Sequence, residues 1–151
     1  MGLDLAIKNG TIVDGSGAPR FQADIGIQDG QIVEIGRIRS GAKQVIDAEG
    51  RVVSPGFIDG HTHMDAQVAW DPLGSCSCWH GVTSVIMGNC GFALAPCQPD
   101  QREWIARCLE AVEDIPTEAM MAGIDWTWET FPEYLGNVDK LPKAINYGAF
   151  L

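Results

Sequence analysis

Two histidines one residue apart, His61 and His63, follow a short apolar run, Phe57-Ile58, fed by a Pro55-Gly56 turn. In an extended segment, residues i and i+2 point to the same face. Their Cα atoms then lie roughly 6.5 Å apart, from a rise of about 3.3 Å per residue. Two imidazoles so placed can converge on one divalent metal, each nitrogen ~2.0–2.1 Å from the ion. A bare His-x-His does not separate a site from two chance histidines, so the context matters. Gly60 leaves the backbone uncrowded beside the pair, and Asp59 and Asp65 flank it. Carboxylates behind ligand imidazoles orient the rings and raise their basicity. A third donor, Cys90, lies in Met87-Gly88-Asn89-Cys90-Gly91, directly after the β-rich run Val82–Met87. It comes 27 residues after His63 (90 − 63), and a parallel strand-helix-strand step takes about 30 residues. The next strand of a parallel sheet is ~4.8 Å away, so a thiolate at its C-terminal end can reach the same metal. A buried structural cysteine is the competing reading of Cys90. The histidine pair one step upstream favours the metal.

These donors need a scaffold, and the chain divides into two parts around Pro55. Residues 1–54 read as short strands. Asp24–Gln28 and Gln31–Ile35 flank Asp29-Gly30, a strong hairpin signal. Gln44–Asp47 and Arg51–Ser54 read as two more strands around Ala48-Glu49-Gly50. In residues 55–151 the periodicity changes. Asp100 to Ile115 reads as a helix with Trp104, Ile105, Cys108, Leu109 and Val112 on one face. Asp100 and Glu103 stand at the spacing of a capping box, and Pro116 should end the helix at Ile115. Thr130-Phe131-Pro132-Glu133 marks a second helix start. Trp126, Trp128, Phe131 and Tyr134 could line a substrate wall, but aromatics dominate cores and packing is the favoured reading.

The chain resembles the amidohydrolase superfamily, and within it the D-aminoacylase (N-acyl-D-amino-acid deacylase) group. The resemblance rests on Pro55 to Asp65, Trp70-Asp71-Pro72, His80-Gly81-Val82-Thr83, Gly88–Phe92 with Ala95-Pro96, and Asp125–Phe131 with Tyr134-Leu135. Asp14-Gly15 and Asp29-Gly30 match its leading β-rich part, so the likeness covers the whole chain. It implies an α/β fold: the N-terminal part of a β-sandwich (1–54), then the first two to three units of a (β/α)8, TIM-type metal-dependent hydrolase barrel (55–151). It implies zinc, one or two ions, with His61, His63 and Cys90 as ligands and Asp59 and Asp65 as supporting carboxylates. The implied reaction is hydrolysis of the linear amide C–N bond of a small-molecule N-acyl amino acid, the metal activating water and polarising the acyl carbonyl. Cys90 is the specific mark of the group, since hydantoinases and dihydroorotases are expected to use a carboxylated lysine there. The alternatives are a cyclic amidase or dipeptidase on the same scaffold, or a metal-binding fragment without turnover.

Length and composition bound these expectations. A (β/α)8 barrel needs at least ~200 residues, and this chain has 151. It therefore reads as the N-terminal part of a longer, truncated enzyme, inactive by itself and prone to oligomerise or aggregate through the open barrel edge at 144–151. With three histidines in all, the further histidine ligands and the catalytic aspartate that the resemblance implies are expected beyond the chain. A net charge of −10 argues against nucleic acid, which needs a basic footprint, and against anionic membrane. Met1-Gly2-Leu3-Asp4 lacks the basic region and apolar core of a signal peptide, and no apolar run approaches the ~20 residues of a span. Five cysteines without an export signal point to reduced thiols and a cytoplasmic location. Cys76-Ser77-Cys78-Trp79-His80 alternates donors that would share one face of an extended segment. Its spacing is atypical for zinc, and incidental thiols are the favoured reading. Cys97 and Cys108 read as loop and helix-face residues.

Overall fold

The structure, a computed structural model, describes residues 2–151; Met1, where the reading for a signal peptide begins, lies outside the described residues. The chain forms two compact units, Met1–Pro55 and Gly56–Leu151.

The first unit is a five-stranded sheet of β1 (Leu3–Ile12), β2 (Phe21–Gln28), β3 (Gln31–Gly36), β4 (Ala42–Asp47) and β5 (Val52–Val53). β2 and β3 form the expected hairpin, with Gln28 opposite Gln31. Asp29 and Gly30 have φ of 52° and 72°, the paired positive values that a tight hairpin turn of this type requires. β1 lies at the centre of the unit. It runs antiparallel to β2 on one side and parallel to β4 and then β5 on the other. β4 and β5 therefore lie end to end along β1, each paired with it. A bulge between Ile7 and Gly10 breaks the β1–β2 register, and Asn9 there donates its backbone N–H to Asp24 at 2.9 Å. Leu3, Ala6 and Ile38 form the small core. Ile32, Val33, Ile35, Val45 and Ile46 are exposed.

The second unit is built on three parallel strands in sequence order, β6 (Phe57–Asp59), β7 (Val82–Met87) and β8 (Asn146–Ala149). The first crossover carries α1 (Ser75–Cys78); the second carries α2 (Arg102–Glu113), α3 (Thr117–Gly123) and α4 (Phe131–Lys140). Val85 and Met87 of β7 pack with Val68, Leu94, Leu109, Met120, Tyr134 and Ile145 in one core.

Helix α2 departs from the sequence reading at both ends and in its buried face. Its first turn is preceded by a 3-10 turn, Pro99–Gln101, and the reciprocal cap joins Gln98 to Gln101 rather than Asp100 to Glu103. It stops at Glu113, where Asp114 turns left-handed (φ 54°), before Pro116 is reached. Ala106 and Leu109 are its buried residues, whereas Trp104 is 68% and Val112 44% exposed. Residues two apart lie on nearly opposite sides of a helix, so with Ala106 against the core Trp104 turns outward. α4 starts as expected: Thr130 and Glu133 form the reciprocal cap, with the Thr130 N–H donating to Glu133 at 2.9 Å.

Candidate metal centre

The C-terminal ends of β6 and β7 lie side by side, Asp59 beside Val85. The chain leaves β6 through Gly60 and His61-Thr62-His63, and one carbonyl, that of Ile86 in β7, anchors it there. Ile86 accepts the Thr62 N–H at 3.0 Å, the Thr62 hydroxyl at 2.8 Å and the Asn89 side-chain amide at 2.9 Å. The same amide also donates to the Thr62 carbonyl, at 3.2 Å. Thr62 is fixed toward β7 and buried, whereas its two neighbours, His61 and His63, are exposed and half-buried. Their imidazole centroids are 5.4 Å apart.

Cys90 arrives from β7 on a short 3-10 turn, Asn89–Gly91. Its backbone is left-handed, φ 58° and ψ 13°, a conformation that costs a side-chain-bearing residue roughly 1–2 kcal/mol. That backbone brings Cys90 Sγ to 3.3 Å from His61 Nε2. One donor atom from each of His61, His63 and Cys90 lies within 4.8 Å of the other two. Bonds of about 2.0–2.3 Å in a tetrahedron space donors about 3.3–3.8 Å apart, so small side-chain rotations bring this set to bonding geometry. A thiolate with two imidazoles is a donor set suited to zinc and other borderline-soft divalent ions. It is the one cluster of three such donors among the described residues.

The two aspartates act on the backbone. Asp59 accepts the His61 backbone N–H at 3.2 Å. Asp65 is buried and accepts the Gly88 N–H at 3.1 Å, while its Oδ1 has no hydrogen-bond partner. Burial pushes its pKa up to about 6, with the Gly88 hydrogen bond opposing. Neither carboxylate hydrogen-bonds an imidazole among the described residues. Their backbone contacts steady the two strand ends, and Asp65 lies within electrostatic reach of His63.

Gly88 is required at the exit of β7. Its φ is +76°, and a Cβ there would sit 2.5 Å from the Phe150 carbonyl oxygen. Four residues escaped the sequence reading of the site. Thr62 and Asn89 set the approach of the two strand ends. Phe92 packs edge-on against His63, centroids 6.1 Å apart. Glu113 brings a carboxylate oxygen to 3.8 Å from His63 Nδ1. Only the Gly88–Gly91 motif hinted at Asn89. Phe92 also lines an apolar cavity of about 340 Å³ with Pro96, Trp104, Cys108 and Leu109.

The other singled-out residues lie elsewhere. Cys76 and Cys78 sit on the single turn of α1, where residues two apart diverge instead of sharing a face. Cys97 is buried and Cys108 partly buried on α2. Trp126, Trp128 and Tyr134 belong to the core, and Phe131 packs against it; the Trp128 indole donates to the Leu94 carbonyl at 3.0 Å.

Known proteins share both this layout and its sequence. The amidohydrolase family model matches residues 44–149. An uncharacterized protein of Mycobacterium tuberculosis is 35% identical over 98% of this chain and 24% of its own length. A D-aminoacylase of Alcaligenes xylosoxydans is 34% identical over 95% of this chain and 28% of its own. The crystal structure of an N-acyl-D-glutamate deacylase from Bordetella bronchiseptica, bound to zinc and a phosphonate inhibitor, aligns over all of this chain and 30% of its own, with TM-score 0.81 and 32% identity. The chain thus spans about a quarter to a third of the length of these relatives. The architecture is part of a β-sandwich followed by the opening strands of a TIM-type barrel. A match running through both crossovers and across the three converging donors places the chain in the amidohydrolase family.

Proposed function

We propose that this chain provides the metal-holding front of a hydrolase that cleaves the linear amide of N-acyl-D-amino acids, with His61, His63 and Cys90 as ligands of one or two zinc ions. The observation that carries the reading is the convergence of an Nε2 and an Sγ at 3.3 Å from two different strand ends, with a second imidazole alongside. Neighbouring strand ends are where barrel enzymes build their sites. Zinc held there would supply an activated water and a Lewis acid for the acyl carbonyl. The chain's own part is positional. Thr62 and Asn89 fix the approach of the two strand ends, Asp59 and Asp65 steady the backbone on either side of the histidines, and Phe92 and Trp104 offer an apolar wall for a substrate. The Alcaligenes D-aminoacylase and the zinc-bound Bordetella deacylase favour this substrate class. Cys90 favours it over a cyclic amidase. No helix among the described residues is long and apolar enough to cross a membrane, and five free thiols suit a reducing, cytoplasmic setting. Self-association along the parallel sheet edge near Phe150 and Leu151 belongs to the same proposal.

The test has two arms. Purified free of metal, the 151-residue chain is expected to bind zinc, measured by competition with a chromophoric chelator, and Cys90→Ser or His61→Ala should abolish the tight phase. Extended through the rest of the barrel, it should release amine from N-acetyl-D-methionine in a zinc-dependent way, and the same substitutions should lower the rate at least about 10²-fold. Zinc binding indifferent to both substitutions would overturn the assignment.

A further inference from the structure

Close to His63 stands a carboxylate that the sequence does not associate with it. Glu113 is the last residue of α2, 50 positions further along (113 − 63). Its Oε1 is 3.8 Å from His63 Nδ1. That nitrogen is sealed from solvent and has no hydrogen-bond partner. Both side chains are mostly buried, 18% and 27% exposed. The gap exceeds a hydrogen bond by less than about 1 Å, a distance that rotation of the glutamate closes. Apo sites often hold such contacts long, and they tighten on loading.

The local sequence gives no other reason for an acid there. The C-terminal end of a helix carries partial negative charge and favours cations, yet the last turn of α2 has no basic residue. Glu110, one turn back, is already engaged by the Thr117 hydroxyl. Asp65, the nearer candidate in sequence, has one oxygen held by Gly88 and lies within electrostatic reach of both His63 and Glu113, but the ion-pair contact of His63 among the described residues is with Glu113. An acid placed against the helix dipole, partly buried and aimed at an unpaired ring nitrogen, breaks a local rule in the way a functional position does.

Resting on the metal assignment above, we propose that Glu113 is the positioning residue for His63. It accepts a hydrogen bond from Nδ1–H and so holds the ring in the tautomer that leaves Nε2 for the ion. Fixing the ring and its tautomer in this way also raises the basicity of the ligating nitrogen. Phe92, edge-on to the same ring, restrains its tilt.

The experiment is a zinc titration of the 151-residue chain by chelator competition, with the d–d spectrum of the cobalt-substituted protein as a second readout. Glu113→Ala should weaken zinc about 10- to 100-fold, the range for losing such a partner, and alter the cobalt spectrum. Glu113→Gln retains an acceptor and should stay within about threefold of the parent. In a His63→Ala background, Glu113→Ala should change the affinity by less than about twofold, because the ring it serves is gone. If the parent binds zinc and His63→Ala weakens it, but Glu113→Ala does not, the inference is wrong and the metal assignment stands. Equal losses with and without His63 would likewise overturn it, by revealing a general effect on folding. A parent chain that binds no zinc overturns both.

Discussion

Replacing Tyr134 by phenylalanine removes one oxygen from the interior of the second unit and should have two consequences. The ring is 2% exposed. Its hydroxyl donates to the Asp65 backbone carbonyl at 3.2 Å, a bond that joins α4 to the segment just after the histidines. Burial and the neighbouring Asp65 drive the phenol pKa well above the usual tyrosine range, so it remains a donor at any ordinary pH. Phenylalanine keeps the ring and its packing against Trp128, at a centroid distance of 5.0 Å, but leaves that carbonyl without its donor. A buried acceptor so orphaned costs about 1–3 kcal/mol. At a urea m-value of about 2 kcal/mol/M, the midpoint should fall by about 0.5–1.5 M. Tryptophan fluorescence is the right probe, because all five tryptophans (Trp70, Trp79, Trp104, Trp126 and Trp128) lie in the second unit. Its transition is therefore read without the first unit's contribution. The second consequence is functional. The tyrosine tethers the segment that carries His63, so zinc affinity should drop severalfold along with stability. A variant with an unchanged midpoint would show that the hydroxyl bond adds nothing net. A lowered midpoint with unchanged zinc affinity would break the link drawn between α4 and the proposed metal centre.

Two further substitutions separate backbone strain from ligand chemistry. Cys90→Gly replaces a residue at φ 58° with the one residue that adopts this backbone freely, so the melting temperature should not fall while zinc binding is lost; a clear drop in stability would mean that the thiol contributes packing. Gly88→Ala should cost about 2 kcal/mol or more from left-handed strain and overpacking against the Phe150 carbonyl, seen as a lower urea midpoint, and a neutral result would show that the exit of β7 can shift.

Much of this protein can be read from short stretches of its sequence. The hairpin at Asp29-Gly30 is local, because two positive φ values in a row demand those residue types. The Thr130–Glu133 helix start is local for the same kind of reason, its cap being made within four residues. The convergence of the three proposed donors was also legible. Alternation places His61 and His63 on one face, and the length of a crossover places Cys90 at the neighbouring strand end. What the chain does around those donors was not legible. The buried face of α2 depends on how the whole core packs against it, and that face carries Ala106 and Leu109 and not Trp104. The central place of β1 depends on partners from 9 (21 − 12) to 41 (52 − 11) positions away. The pairing of Glu113 with His63 depends on where α2 ends relative to β6, the two residues being 50 positions apart (113 − 63). Spacing along the chain determines which residues can share a face or fall at adjacent strand ends. Only the packed core decides which atoms finally meet, because the buried volume that sets each helix against the sheet is contributed by residues from every part of the unit at once.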